Sequence, residues 1–254
     1  MKRKLYTKSH SKNVLNNIGN YGQQFTSEEH AYAMEQEYDS KFNSKRSLIH
    51  WYLSQHANKL SALGFLMQYI NDKGFNNIIS LGSGPSVLEH LLKFALPKNA
   101  NVVATDFDSY IVDRINVLLP NIVSAKFDFF KDDISELQSS LGITFDVVVF
   151  FGSAYVMDDD NFVSLFRNIR NAGIKQIIDF HGGYMSRKAM IITILSRLKS
   201  LLTGKHQEEY KGKFHGFGRS RSELRRIYKK AGVRLSEEIK ITPYEYIAIC
   251  DCSE

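Results

Sequence analysis

The hydrophobic pattern of the chain changes near residue 74. Before this point apolar residues recur at helical spacing, and we find no convincing strand. Thr26 followed by Glu29 is a capping-box pattern, and Gly74 is expected to end the last helix as its C-cap. The helix predicted over 44–73 carries five apolar residues near one face: Ile49, Leu53, Ala57, Leu60 and Met67. We therefore expect residues 1–73 to form an N-terminal helical cap with a basic tail.

From residue 76 onward, short apolar strands alternate with helices. Five strands are predicted, over residues 77–81, 101–108, 124–130, 145–152 and 174–180. The intervening helices are expected over 86–96, 109–119 and 134–141, with a fourth that begins at an Asp160 N-cap and ends before Gly173. The fourth strand, "FDVVVFFG", is almost wholly apolar, as a central strand buried on both faces should be. This alternation with short connections predicts a parallel, doubly wound sheet.

The alternation is interrupted over residues 181–218 and then resumes. Ser220 and Glu223 form a capping box that begins another helix, and Gly232 follows its end. Two final strands are joined by a tight turn at 242–243, so we expect them to run antiparallel to each other. The interrupting segment is predicted to be a lid inserted into the core fold.

The predicted architecture is an α/β fold. It has a doubly wound, mostly parallel seven-stranded sheet with an antiparallel last strand, plus the N-terminal helical cap. The core covers residues 74–254, with the inserted lid at about 181–218. A length of 254 residues with 43% hydrophobic and 24% charged residues suits one such domain with an appendage.

Several classes of protein are disfavoured by composition. The apolar stretch 189–195 is far shorter than the roughly 20 residues of a bilayer span, and the basic start leads into no apolar signal region. Cys250 and Cys252 are interpreted as small hydrophobic residues of the last strand, and two thiols fall short of a zinc site. A cytoplasmic protein is the expectation.

The net charge of +6 is unevenly distributed. Residues 1–12 hold five Lys/Arg and no acid, and residues 186–230 hold thirteen Lys/Arg against three Glu. Such a segment suggests a surface for an anionic partner. Residues 189–202 mix apolar and basic side chains, which suits either a packed lid helix or peripheral membrane contact. Nucleic acid would need the same charge, but no recognisable binding module accompanies it.

The stretch "LGSGPS" is a glycine-rich turn between a strand and a helix. Gly82 and Gly84 permit close approach of a ligand to backbone, and the helix directs its first N–H groups at the turn. Asp106 ends the second strand, where a carboxylate can accept hydrogen bonds from both hydroxyls of a ribose. Asp133 and Ile134 follow the third strand and either contact an adenine or begin the next helix.

In this combination and order, the chain resembles the class I S-adenosylmethionine-dependent methyltransferases over residues 76–180 and 219–252. The resemblance implies S-adenosyl-L-methionine as cofactor. Its methionine part would lie on the glycine turn, its ribose on Asp106, and its adenine on Phe107, Asp133 and Ile134.

Three further positions belong to the cofactor site that the resemblance implies: Ser80, Ser83 and Phe151. Ser80 departs from the family, which often has an acid there, and Ser86 replaces a third glycine. The expected contact to the amino group of the cofactor therefore lacks its usual residue.

Methyl transfer requires mainly that a nucleophile be aligned with the methyl group, and a general base helps when the nucleophile is a hydroxyl. The candidates at the carboxyl edge of the sheet are Tyr155, Asp179 and His181. His181 titrates in the required range, although a purely structural role is the alternative. The run 158–160 of three aspartates is interpreted as a helix N-terminus, and no metal is expected.

The segment "FGSA" at 151–154 lacks the Asn/Asp-Pro-Pro-aromatic motif of enzymes that methylate base amines. We therefore expect O-methylation of a small or medium-sized, anionic substrate. Three alternatives stay open: an RNA methyltransferase, aminocarboxypropyl transfer as in nicotianamine-synthase-like enzymes that share "GSGP", and a non-catalytic cofactor-binding scaffold.

Overall fold

The computed structural model describes residues 3–5, 43–56, 59–186, 191, 195, 216–242 and 245–252. The predicted Thr26–Glu29 capping box and most of the inserted lid lie outside these residues. So does the turn at Pro243 between the last two strands.

Nine strands are present in the described residues: β1 Arg3–Leu5, β2 Asn77–Leu81, β3 Asn101–Asp106, β4 Val123–Lys126, β5 Val147–Phe151, β6 Gln176–His181, β7 Gly216–Gly218, β8 Arg234–Thr242 and β9 Glu245–Asp251. Seven of them form one sheet in the order β4-β3-β2-β5-β6-β9-β8. Strands β2 to β6 are parallel, while β9 runs antiparallel to both β6 and β8. The predicted seven-stranded sheet with reversed final strand is confirmed.

The remaining strands, β1 and β7, pair with each other in antiparallel fashion, Arg3 opposite Gly218 and Leu5 opposite Gly216. The expectation that no strand occurs in the first seventy residues was therefore wrong. A three-residue basic strand carries no apolar alternation, and its partner lies far along the chain. Only tertiary pairing defines it.

In the part of the chain that the structure describes, seven helices cover the two faces of the sheet: α1 Lys45–His56, α2 Lys59–Lys73, α3 Val87–Ala95, α4 Ser109–Leu118, α5 Ile134–Leu141, α6 Asp159–Asn171 and α7 Arg221–Ala231. Apolar residues of α1 to α4 pack on one face of the sheet. Those of α5, α6 and α7 pack on the other. This is the three-layer, doubly wound arrangement that the alternating pattern predicts.

The N-terminal helical region differs from its prediction in phase. Two helices, α1 and α2, replace the single expected helix. Their buried apolar residues are Leu48, Tyr52, Ala62, Leu63, Leu66 and Ile70. Leu60, expected on the inward face, is exposed, and Ile49, Leu53 and Met67 are only partly buried. Each helix has its own inward face, so one helical register drawn across both was wrong.

Helix ends follow the side chains that cap them. The Ser220–Glu223 capping box is present, and Gly232 ends α7 in the left-handed region. The predicted N-cap of α6, Asp160, was wrong, because Asp158 has the extended backbone of a cap and accepts from the Asn161 N–H at 2.9 Å. Three consecutive aspartates offer equivalent caps in sequence, and only backbone geometry selects one of them.

No described helix combines the length and the apolar character that a membrane span requires. Cys250 and Cys252 are both buried and unpaired.

Candidate functional site

The glycine-rich turn lies at the carboxyl end of β2, in the middle of the sheet. Gly82 and Gly84 have left-handed backbone, with φ of 66° and 53°. A Cβ on Gly82 would lie 2.5 Å from Phe129 Cζ and 2.8 Å from Ser153 Cβ, whereas one on Gly84 would meet nothing within 4 Å. Glycine is therefore required at Gly82 for both conformation and space.

Asp106 is the acid that the fold brings against this turn. Its Oδ2 accepts from the Gly84 N–H at 3.0 Å, and its Oδ1 accepts from the Asp108 N–H at 3.1 Å. The Ser83 N–H also binds the Thr105 carbonyl at 2.8 Å, so the turn is held to the end of β3. Carboxylate and turn thus share one edge of two adjacent parallel strands, where α/β folds bind ligands.

The chain leaves the sheet earlier than predicted after the third parallel strand. Strand β4 ends at Lys126, and Asp128 and Phe129 lie two and three residues beyond its carboxyl end. The Phe129 ring lies beside Gly82, with its Cζ atom 2.5 Å from the position that a Cβ on Gly82 would take. In contrast, Asp133 is the N-cap of α5, accepting from the Ser135 N–H, and Ile134 is fully buried in the layer beneath α6.

Asp128 and Phe129 thus lie closer to the carboxyl end of β4 than Asp133 and Ile134, which begin α5. The assignment of Asp133 and Ile134 to the cofactor stays a prediction. The adjacent "DFF" was read as part of an extended strand. The available signal was the acid at position 128 inside an otherwise apolar stretch.

Ser80 stands at the position where the family often has an acid, and its side chain contacts an acid from another element. Its Oγ donates to Glu89 Oε1 at 2.6 Å, and Glu89 on α3 is 1% exposed. Burial raises the pKa of Glu89 to about 7, although the Ser80 hydroxyl and the Lys59 ammonium act in the opposite direction. Sequence reasoning missed Glu89, because an acid in a helix is ordinarily solvated.

The carboxyl end of β5 adjoins the same turn. Ser153 Oγ donates to the Leu81 carbonyl, and Phe151 stacks on Phe180 of β6 with ring centroids 5.1 Å apart. Lys59 from α2 donates to the Phe151 carbonyl at 3.0 Å. A small, mostly apolar cavity opens here, lined by Lys59, Ala62, Phe151, Gly152, Phe180, His181, Gly182 and Tyr246.

The candidate bases of β6 lie deep in the fold. His181 Nδ1 is 3.1 Å from Asp179 Oδ2, which also accepts from the Tyr228 hydroxyl at 2.9 Å. All three side chains are buried, and burial raises the pKa of Tyr228 well above its usual range. Among the described residues, His181 Nε2 has no hydrogen-bond partner. The ring stacks on Phe162 of α6 at 5.9 Å.

Tyr155, the remaining candidate, lies in a short 3-10 turn at 154–156. Its ring packs beside Gly182 and Gly183, where added Cβ atoms would lie 3.5 Å and 3.4 Å from the nearest ring atoms. Tyr155 is thus nearer the surface of the carboxyl edge than Asp179 and His181 are. The three assignments stay predictions.

The basic residues of α7 are largely neutralised within the fold. Arg221 and Arg225 pair with Glu238, Arg226 with Asp159, and Lys230 with Asp160. Burial opposes ionisation of Glu238, but hydrogen bonds from Arg225 and Arg221 lower its pKa to about 2. These ion pairs concern only the part of the positive segment that lies in α7.

The aspartate run at 158–160 is used in the same way, by the α6 cap and by these ion pairs. Within the described residues, no group of three His, Cys, Asp or Glu side chains is placed to hold a metal ion.

The sheet order, the reversed β9 and the glycine turn beside Asp106 define the fold of the class I S-adenosylmethionine-dependent methyltransferases. Human N-acetylserotonin methyltransferase in complex with SAM is similar with a TM-score of 0.60 and 15% identity, over 94% of this chain and 64% of that one.

Two further solved structures share the fold. They are the mitomycin 7-O-methyltransferase MmcR (TM-score 0.53, 14% identity, 92% of this chain and 74% of that one) and magnesium protoporphyrin IX methyltransferase (ChlM) from Synechocystis PCC 6803 with bound SAH (0.52, 11%, 93% and 90%). This chain covers 64% of the human N-acetylserotonin methyltransferase, which is just under two thirds of its length. No family model and no curated protein sequence matches it.

Proposed function

We propose that this chain binds S-adenosylmethionine on the turn at Gly82 and Gly84 and transfers its methyl group to an oxygen of a small acceptor. The observation that carries the proposal is the turn itself. Gly82 leaves no room for a side chain, and the Asp106 carboxylate lies within hydrogen-bond distance of Gly84, in a methyltransferase fold.

The described residues divide the work of holding the cofactor. Asp106 would accept from the ribose hydroxyls, as carboxylates at this edge do, with Phe107 next to it. We assign the adenine to Asp128 and Phe129, which lie just beyond the carboxyl end of β4. Ser80, Ser83 and Phe151 surround the turn through β2, the turn itself and β5.

The acceptor would occupy the cavity beside Lys59 and His181, between the ends of β5 and β6. Its apolar lining suits a small organic acceptor, and the Lys59 ammonium suits an acceptor that carries negative charge. The names of the neighbours N-acetylserotonin methyltransferase and mitomycin 7-O-methyltransferase support a small acceptor, and the second supports oxygen as the methylated atom.

The chemistry needs few protein groups. The cofactor supplies a methyl group on a positively charged sulfur. The acceptor oxygen forms the new bond to carbon as the carbon–sulfur bond breaks and its electron pair returns to sulfur. This chain aligns the two reactants, excludes water with α2, and removes the hydroxyl proton through Tyr155, His181 or Asp179.

The proposal is tested by calorimetry with S-adenosylhomocysteine and by mass spectrometry of reactions containing S-adenosylmethionine and a panel of phenols and hydroxy acids. We expect binding, and release of S-adenosylhomocysteine with a methylated acceptor. Release of methylthioadenosine would show aminocarboxypropyl transfer instead, methylation of added RNA would show a polymer substrate, and absence of binding would reject the proposal. Sedimentation with anionic vesicles tests membrane contact through residues 189–202.

The adenine assignment makes a separate prediction. Asp128→Ala should weaken S-adenosylhomocysteine binding roughly tenfold, the effect of about one hydrogen bond. Asp133→Ala should leave the affinity unchanged and lower the free energy of unfolding by about 1 kcal/mol, because it removes only the N-cap of α5. Calorimetry and chemical denaturation of both variants measure the two effects. The reverse ranking of affinities would restore Asp133 to the site.

A further inference from the structure

We infer that Glu89 is the carboxylate that binds the positively charged amino group of the cofactor, and that it exchanges a proton when it does so. The inference rests on the proposed function and assigns to α3 a contact that the strand residue Ser80 cannot make.

The first observation is that Glu89 does not form the capping box that its spacing from Ser86 predicts. Ser86 and Glu89 have the Ser-x-x-Glu spacing of a capping box, as Ser220 and Glu223 do. At α7 the box forms. At α3 it does not, because Ser86 is left-handed (φ 53°) and makes no side-chain cap, and Glu89 turns to Ser80 instead. The same Ser-x-x-Glu spacing thus gives two different structures. Only in α3, which follows the glycine turn, does the glutamate contact the sheet.

The second observation is where the carboxylate lies. Ser80 lies in β2 two residues before Gly82, and its hydroxyl donates to Glu89 Oε1 at 2.6 Å, so the carboxylate is held against the end of the strand that leads into the turn. The charged groups that face Glu89 are Lys59 from α2 and Asp106 from β3. Glu89 is therefore within electrostatic reach of Asp106, proposed to hold the ribose, and of Lys59, which lines the acceptor cavity.

The third observation is the electrostatic balance of the unliganded site. Burial raises the pKa of Glu89 to about 7, and neither the Ser80 hydroxyl nor the Lys59 ammonium restores its ordinary value of 4.5. The protein alone compensates the buried charge incompletely. The ammonium of S-adenosylmethionine would complete the compensation, so binding favours the ionised carboxylate and releases the proton that the free protein carries.

The sign of the pH dependence follows. Below about pH 7 the free protein holds a proton on Glu89 that must be lost on binding. Affinity for S-adenosylhomocysteine should therefore fall by up to about tenfold per pH unit below pH 7 and be level above it. At pH 7, where the group is half protonated, about half a proton should be released per ligand bound.

The test is calorimetry with S-adenosylhomocysteine at pH 6 to 8, in phosphate and in Tris buffer so that the buffer dependence of the heat counts the protons. Glu89→Gln should weaken binding roughly 30-fold at pH 8, release no proton and show no fall toward pH 6. Glu136→Gln is the matched control, since Glu136 occupies the same third position of α5 but is exposed. It should behave as wild type.

Methylthioadenosine, which lacks the amino acid, is the second probe. It should bind wild type and Glu89→Gln alike. Equal affinity of S-adenosylhomocysteine for both proteins, or equal weakening of the two ligands, would overturn the inference while leaving the proposed function intact. Failure of wild type to bind S-adenosylhomocysteine would reject the proposed function and the inference with it.

Folding of the variant has its own check. An acid whose pKa is raised in the folded state lowers stability as the pH rises from 4.5 through about 7. Unliganded Glu89→Gln should accordingly unfold at no lower temperature than wild type at pH 8, so weaker binding there cannot come from a damaged fold. A lower unfolding temperature would instead mark Glu89 as a structural residue and overturn its assignment.

Discussion

Gly82→Ala should abolish measurable binding of S-adenosylhomocysteine, raising the dissociation constant at least about 100-fold. The methyl group would sit in left-handed backbone, which costs roughly 1 kcal/mol. It would also lie 2.5 Å from Phe129 and 2.8 Å from Ser153. Relief of those contacts moves the turn or its neighbours and adds roughly 1–3 kcal/mol. Calorimetry and thermal unfolding measure both effects.

Gly142→Ala is the matched control for that experiment. Gly142 has the same φ of 66°, ends α5 and has nothing within 4 Å of an added Cβ. The free energy of unfolding of this variant should fall only by the cost of left-handed backbone. It should bind S-adenosylhomocysteine as wild type does. If the two variants bound equally well, the glycine turn would not be the ligand site, and the proposed function would lose its main support.

Asp106→Ala should have the second largest effect, weakening S-adenosylhomocysteine about 100-fold. Two hydrogen bonds from ribose hydroxyls to a carboxylate contribute about 3 kcal/mol together. The same change removes the acceptor for the Gly84 and Asp108 N–H groups, so the turn also loses its attachment to β3.

Adenosine separates the two causes, because it has the ribose but not the methionine part. Its affinity should fall with that of S-adenosylhomocysteine in Asp106→Ala. Asp113→Ala, which removes an exposed carboxylate from neighbouring α4, should bind both ligands normally. Unchanged adenosine binding in Asp106→Ala would mean that Asp106 holds the turn and not the ribose.

Much of the fold could be predicted because its signals are local. The apolar run of β5, the alternation of strands with helices, and the Ser220–Glu223 box each depend on a few neighbouring residues. Strand β1 could not be found, since only its pairing with β7 defines it. The phase of α1 and α2 was also lost, because one periodicity was drawn across two helices.

The site divides along the same line. Gly82 and Asp106 were identifiable because motif spacing along parallel strands brings them to one edge. Glu89 was not, because its contact with Ser80 depends on a left-handed Ser86 that no spacing rule predicts. The pairing of basic residues in α7 could not be predicted for a related reason. Ion pairs such as Arg221–Glu238 join different elements and are invisible to a count of charges.

The outer strand β8 has a bearing on self-association. It forms one edge of the sheet over nine residues, and two register shifts interrupt its pairing with β9, at Leu235/Glu237 and Lys240/Thr242. Arg234, Glu237 and Lys240 are exposed along it. Bulges and charges of this kind prevent a second sheet from adding edge to edge. The longest of the described strands is thus protected against the aggregation that its length would otherwise invite.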